Sequence, residues 1–150
     1  MFDDSRIDIY DYLRSLFEGN VTDNVYDMNV PQELTRSDAE EGFIVLHVGS
    51  INDRSEFPRN TYGWVRCDVE AFIPPISRGR VNKDKYKEFE DGINTCIREA
   101  AEYAQSDIYQ IREESVLSSE TLEITNANNA FYVFIKSFIV DVFQNPWEIY

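Results

Sequence analysis

Residues 64–73 alternate with a period of two between a wholly apolar face and a largely polar one, and this constrains the fold more than any other stretch of the chain. Val65, Cys67, Val69, Ala71 and Ile73 fall on one side, while Trp64, Arg66, Asp68, Glu70 and Phe72 fall on the other. A period of two with one apolar face specifies a strand of an antiparallel sheet packed on a core. Upstream, residues 43–48 (FIVLHV) are apolar on both faces, as in a more central strand. The two segments form a hairpin with a tip over residues 50–61. Ordinary hairpin loops are roughly 2–5 residues long, and longer ones are mostly functional or disordered. A long polar tip beside a covered sheet suggests a chain that reaches out to a partner.

The segments around the hairpin supply helices and further strands. Asp3, Asp4 and Ser5 offer N-caps for a first helix over residues 5–18, with Ile7, Tyr10, Leu13, Leu16 and Phe17 at helical spacing. Gly19 and Asn20 stop it. Residues 21–30 read as an edge strand or an extended arm, and residues 32–42 as an acidic loop or one helical turn. Pro74 and Pro75 end the hairpin's second strand. The main helix spans residues 83–105, with Tyr86, Phe89, Ile93, Ile97, Ala100 and Ala104 on one stripe. Gly92 weakens its middle by about 1 kcal/mol relative to Ala and marks close packing. Strands are expected at 108–111 and 116–125, followed by a turn at 126–129. A closing strand at 131–143 (FYVFIKSFIVDVF) is apolar on both faces, hence covered on both sides, by a helix of the same chain and by a second subunit. The expected fold is α+β: an antiparallel sheet of four to six strands with a long-tipped hairpin, one main helix packed on it, and an N-terminal helix. Residues 1–150 form one domain, with residues 144–150 as a docking tail.

Charge narrows the function. Lys and Arg number 14 against 28 Asp and Glu, so the net charge is −14 and the sequence pI is about 4.3. Such a field repels nucleic-acid phosphates, whose binding requires basic side chains. It also argues against an anionic membrane surface, and no apolar run approaches the roughly 20 residues of a span. No signal-peptide pattern opens the chain. Hydrophobic residues make up 43%, enough for a folded core. Cys67 and Cys96 lie in no CxxC pair, and buried reduced thiols of a cytosolic product are expected.

No catalytic, cofactor or metal site is expected. His47 has no ligand at metal spacing and reads as structural, and no phosphate-binding glycine loop occurs. Asp68 and Glu70 share a strand face, with Asp53 upstream, faintly like the carboxylates of a metal-dependent nuclease. Phe72 stands where such a site has lysine.

Partner-binding candidates fall in three places. Phe57 in the hairpin tip is an aromatic anchor, surrounded by Arg54, Arg59 and Asn60. Arg78, Arg80 and Lys83, with Lys85 and Lys87, form the only basic cluster and suit an acidic neighbour, including another copy of this chain. Trp147 and Tyr150 follow Pro146 in the tail.

The order of elements resembles the tail-terminator, or tail-completion, family of the head–tail junction of tailed bacteriophages. The segments that carry the resemblance are IDIYDYLRSLF, FIVLHVG to YGWVRCDVEAFI, KYKEFEDGINTCIREAAEYA and FYVFIKSFIVDVF. The acidic, aromatic-rich style is also similar to neck ring proteins of crAss-like phages. The long segment between Asn20 and Gly42 and the NPWEIY tail depart from a compact terminator. The resemblance implies a non-enzymatic virion protein without cofactors, made in the host bacterial cytoplasm and resident in the neck. It would form a homo-oligomeric ring between portal-side and tail-side proteins, enclosing DNA without binding it tightly. From the charge alone, the alternative is an acidic DNA-mimic inhibitor of a nucleic-acid-binding protein.

Overall fold

The computed structural model describes residues 5–31, 33–50, 52–53, 63–77, 80–102, 109–118, 122–126 and 129–142. In chain order the elements are α1 (Ser5–Phe17), β1 (Val25–Asp27), α2 (Arg36–Glu41), β2 (Phe43–Val48), β3 (Asn52–Asp53) and β4 (Gly63–Ile73). They continue with β5 (Pro75–Ser77), β6 (Arg80–Val81), α3 (Lys83–Glu102), β7 (Tyr109–Ser118), β8 (Leu122–Asn126) and β9 (Asn129–Val142).

The fold is α+β, and its sheet runs β1-β2-β4-β9-β7. β3 continues the line of β2 along β4, and β8 continues the line of β7 along β9, so the sheet is five strands wide. The sequence pointed to an antiparallel sheet; the sheet is mixed, because β1 runs parallel to β2, with Val25 opposite Ile44. The chain leaves β1, passes through residues 28–42 including α2, and returns in the same direction. Parallel neighbours need a crossover of that length, about a dozen residues or more.

β4 is the spine. It pairs with β2 from Phe43↔Phe72 to Val48↔Cys67, and with β9 over its whole length, from Gly63↔Val142 to Ile73↔Tyr132. Its alternation is obeyed: Val65, Cys67, Val69, Ala71 and Ile73 are fully buried, beneath α1 and α3. Burial pushes the Cys67 thiol well up from its ordinary value, with the Asp68 carboxylate adding to the effect.

α1 contributes Ile9, Tyr10, Leu13, Leu16 and Phe17 to this core. Ile7, expected on the stripe, is 53% exposed, and Ile9 takes its place at 0%. Two residues turn a helix by about 200°, so the two isoleucines point to nearly opposite sides. α3 buries Phe89, Ile93, Ile97 and Ala100 as expected, and Tyr86 meets Phe134 at 4.9 Å between ring centroids.

The other sheet face carries a smaller core at one end, made of Phe43, Val45, Phe72, Phe131 and Val133, with Tyr26 and Leu34 packed against it. Phe43 stacks on Phe72 at 4.5 Å and meets Phe131 edge-on at 5.5 Å. Within one chain this covers the end of the second face that carries Phe43 and Val45 of β2 and Phe131 and Val133 of β9. α2 is tied in by a capping box between Thr35 and Asp38, and Tyr26 Oη donates to Asp38 Oδ2 at 2.6 Å. Burial, then that bond, pushes the Tyr26 phenol up to about 12.

β7 is one strand where two shorter segments were expected at its position and beyond. Its register on β9 shifts between Arg112↔Ile139 and Leu117↔Ser137, so five steps along β7 span two along β9. A bulge of this kind keeps one continuous strand in the sheet despite the interruption.

Candidate interaction surface

Most of the partner-binding residues nominated from sequence (Arg54, Phe57, Arg59, Asn60, Arg78, Trp147 and Tyr150) lie outside the described residues. Arg80 and Lys83 are described, and the fold brings them together. Pro74 follows the last residue of β4, and the chain turns into the β5–β6 hairpin, where Arg80 is opposite Ser77. Asn82 caps α3: its side-chain oxygen accepts from Lys85 N at 3.1 Å and its carbonyl from Tyr86 N at 2.9 Å. Arg80, Lys83 and Lys87 are exposed, and so is Ile76 at 69%. Lys85 turns the other way, onto Glu41 Oε2 at 3.1 Å and Glu88 Oε2 at 3.7 Å. The basic cluster is therefore split into an outward group and one lysine that ties α3 to α2.

A second feature was only hinted at in sequence. A groove of about 380 Å³ runs between α1 and α3, with Leu16, Gly92 and Cys96 among its walls and Asp91, Thr95 and Glu99 along α3. Gly92 permits the approach that forms it: a Cβ there would stand 3.3 Å from Val21 Cγ2 and 3.6 Å from the Asn20 carbonyl oxygen. Asn20 Nδ2 donates to the Leu16 carbonyl at 2.9 Å and seals the end of α1. Burial, then the Glu99 carboxylate, raises the Cys96 thiol above its ordinary value.

The third feature is a polar band on the sheet face away from α1 and α3. His47, Asp68 and Ser137 are direct cross-strand neighbours on β2, β4 and β9. Ser137 Oγ donates to Asp68 Oδ1 at 2.5 Å, Arg66 Nε lies 3.8 Å from the same oxygen, and His47 Nε2 meets Glu70 Oε1. Asp68 and Glu70 share a face, as their spacing required. The hydroxyl proton goes to Asp68 and the imidazole to Glu70, so serine and histidine do not form a nucleophile–base pair. Asp53 lies on β3 with its backbone opposite Gly63. Among the described residues no three His, Cys, Asp or Glu side chains gather as a metal site.

Beside this band Arg112 forks onto Asp141, with Nε 3.2 Å from Oδ2 and a second bond from Nη2 to Oδ1. Both side chains are buried. Sequence reading missed this pair. Its members are 29 residues apart and meet only because β7 and β9 are neighbours.

Among the described residues no helix is long and apolar enough to cross a membrane. No protein-family model and no curated protein matches the sequence. Among 11 matching chains of solved structures, one whose name carries no functional description is 18% identical, with a TM-score of 0.43, covering 91% of this chain and 96% of its own.

Proposed function

We propose that the chain is a structural subunit of a multimeric ring in the neck of a tailed bacteriophage, joining the portal side to the tail and lining the DNA channel. The observation that carries this reading is the order of elements. An N-terminal helix, the antiparallel pair β2 and β4 with residues 49–62 between them, one main helix and a closing central strand follow in an order that supports this reading. The charge supports it: a net −14 lets DNA pass without adhering. The basic group Arg80, Lys83 and Lys87 then serves contact with acidic protein. The chain would be made in the host bacterial cytoplasm and end in the virion, with portal-side and tail-side proteins as neighbours.

The test is the mass of the purified chain in solution, negative-stain imaging, and a search for the chain in purified particles. Closed rings and a virion component support the reading. A monomer that copurifies with a nuclease or another DNA-binding protein would replace it with the acidic DNA mimic.

A further inference from the structure

We propose that α2 and the residues leading into it, 33–41, form a strap that opens as a unit while the sheet stays folded, uncovering the aromatic cluster on the sheet's second face. The device does not depend on the ring reading.

The cover is thin. On the second face Phe43, Val45, Phe72, Phe131 and Val133 are buried, and the partly buried hydrophobic side chains packed against them are Tyr26 and Leu34. The helix itself, RSDAEE, brings no large apolar side chain: Arg36, Ser37, Glu40 and Glu41 are exposed and Ala39 is half-buried. It is also shorter than the roughly 12–15 residues an isolated helix needs in water. A segment with so few buried apolar contacts belongs to the class that opens locally, below the free energy of global unfolding.

The ties that close the strap are polar. Tyr26 Oη donates to Asp38 Oδ2 at 2.6 Å, and Asn24 Nδ2 donates to Ser37 Oγ and to the Gly42 carbonyl, each at 3.0 Å. Lys85 Nζ lies 3.1 Å from Glu41 Oε2, but that carboxylate is exposed, and surface ion pairs add little. Asp38 works in both directions. Its side chain is fully buried; Oδ2 takes the Tyr26 hydroxyl and the Thr35 N–H, whereas Oδ1 has no hydrogen-bond partner among the described residues. Water satisfies that oxygen once the strap lifts, so the residue that latches the closed state also opposes it.

The backbone is built to move on either side. Met28, at φ 67°, is the one non-glycine residue with positive φ among the described residues, and Gly42, at φ 88°, follows the strap directly. Strained residues of the first kind gather at switch regions. Glycine rotates without a Cβ penalty, so the strap can swing at Gly42 while Phe43 stays in β2, which is held along its whole length by β4.

Thiol labelling reads the opening. Val45→Cys, in a chain that also carries Cys96→Ser, puts a thiol beneath the strap. Cys67, buried on the opposite face under α1 and α3, is the internal reference. Followed by mass spectrometry without denaturant, the introduced thiol should label well before Cys67. Adding Tyr26→Phe keeps the ring against Phe43 and removes the bond to Asp38. It should speed labelling of the introduced thiol about tenfold or more, as expected for a lost bond to a charged group, while Cys67 keeps its rate. Amide exchange in the wild type is the second measure. The Ala39 and Gly42 N–H groups, which donate to the Thr35 and Asp38 carbonyls, should exchange with little dependence on urea, and those of β4 with a steep one. Equal labelling of the two thiols, or a common urea dependence, would mean that residues 33–41 unfold only with the whole chain and would overturn the strap. If Val45→Cys does not fold, the wild-type exchange decides alone.

Discussion

Gly42→Ala should be among the most damaging single-methyl changes in this protein. Gly42 joins α2 to β2 with φ 88° and ψ 175°, a conformation essentially restricted to glycine. Holding alanine there costs about 1–3 kcal/mol in backbone strain. Space is the second term. The new Cβ would stand 2.6 Å from the Phe72 carbonyl oxygen, 3.1 Å from Pro74 Cδ and 3.2 Å from Phe89 Cζ. The first of these is backbone in the spine strand and the last is the anchor of α3, so none yields easily. Overpacking of this kind adds about 1–3 kcal/mol. The sum, roughly 2–6 kcal/mol, is a large share of a typical stability of about 5–15 kcal/mol. At about 2–4 °C per kcal/mol for a chain of this size, the melting temperature should fall by around 10 °C. Gly19→Ala is the control: φ is also positive, at 81°, but the nearest atom is Asp23 Oδ1 at 3.8 Å. It should lose only the strain of a left-handed conformation, about 1–2 kcal/mol. Urea and thermal melts of the two variants measure both terms. A Gly42→Ala loss no larger than that of Gly19→Ala would refute the packing of Phe72, Pro74 and Phe89 around this residue.

Three further changes probe other parts of the fold. Val65→Asp places a carboxylate in the fully buried face of β4 and should cost several kcal/mol, whereas Arg66→Ala, exposed on the other face, should stay within about 0.5 kcal/mol; equal losses in denaturant melts would mean the register is wrong. Asp141→Ala removes the carboxylate that the buried Arg112 guanidinium grips and should lose about 3–5 kcal/mol, while replacing the pair with Met at 112 and Leu at 141 should recover most of it; a mild Asp141→Ala would show that the fork adds nothing. Tyr12 and Tyr109, 5.2 Å apart, have phenols pushed up to about 12 by burial. The unfolded chain releases these protons near pH 10, so the native state holds more of them between pH 10 and 12 and stability falls as pH rises through that window. The Tyr12 hydroxyl is buried with no hydrogen-bond partner among the described residues, so Tyr12→Phe should be neutral or stabilising at pH 7 and should flatten the alkaline loss; a destabilised variant with an unchanged pH profile would contradict this.

What the sequence determined by itself was local periodicity and charge. The alternation in β4 assigned Val65, Cys67, Val69, Ala71 and Ile73 to the core side without reference to any partner. Steps of three and four did the same for Phe89, Ile93, Ile97 and Ala100 on α3. Both follow from how side chains leave a strand or a helix, which neighbours in sequence already define. Gly92 was legible for a related reason, since a glycine inside a long helix weakens it unless another segment comes close. Periodicity was least reliable at the start of α1, where Ile7 and Ile9 compete for one stripe and packing chose Ile9.

The tertiary structure decided everything that depends on which segments meet. β1 is too short to announce its direction, and only its place beside Ile44 to Leu46 makes the sheet mixed. The Arg112–Asp141 fork exists because β7 lies on β9, and the His47–Asp68–Ser137 row because β2 and β9 flank β4. The groove needs α1 and α3 side by side. Arg80 and Lys83 were visible as part of a basic run, but the exposure of Ile76 on β5 was not, because exposure of one isoleucine has no period. A contact between distant segments is a property of their pairing. No residue type or spacing within either segment encodes it, so the fork, the cross-strand row and the groove had to come from the folded chain.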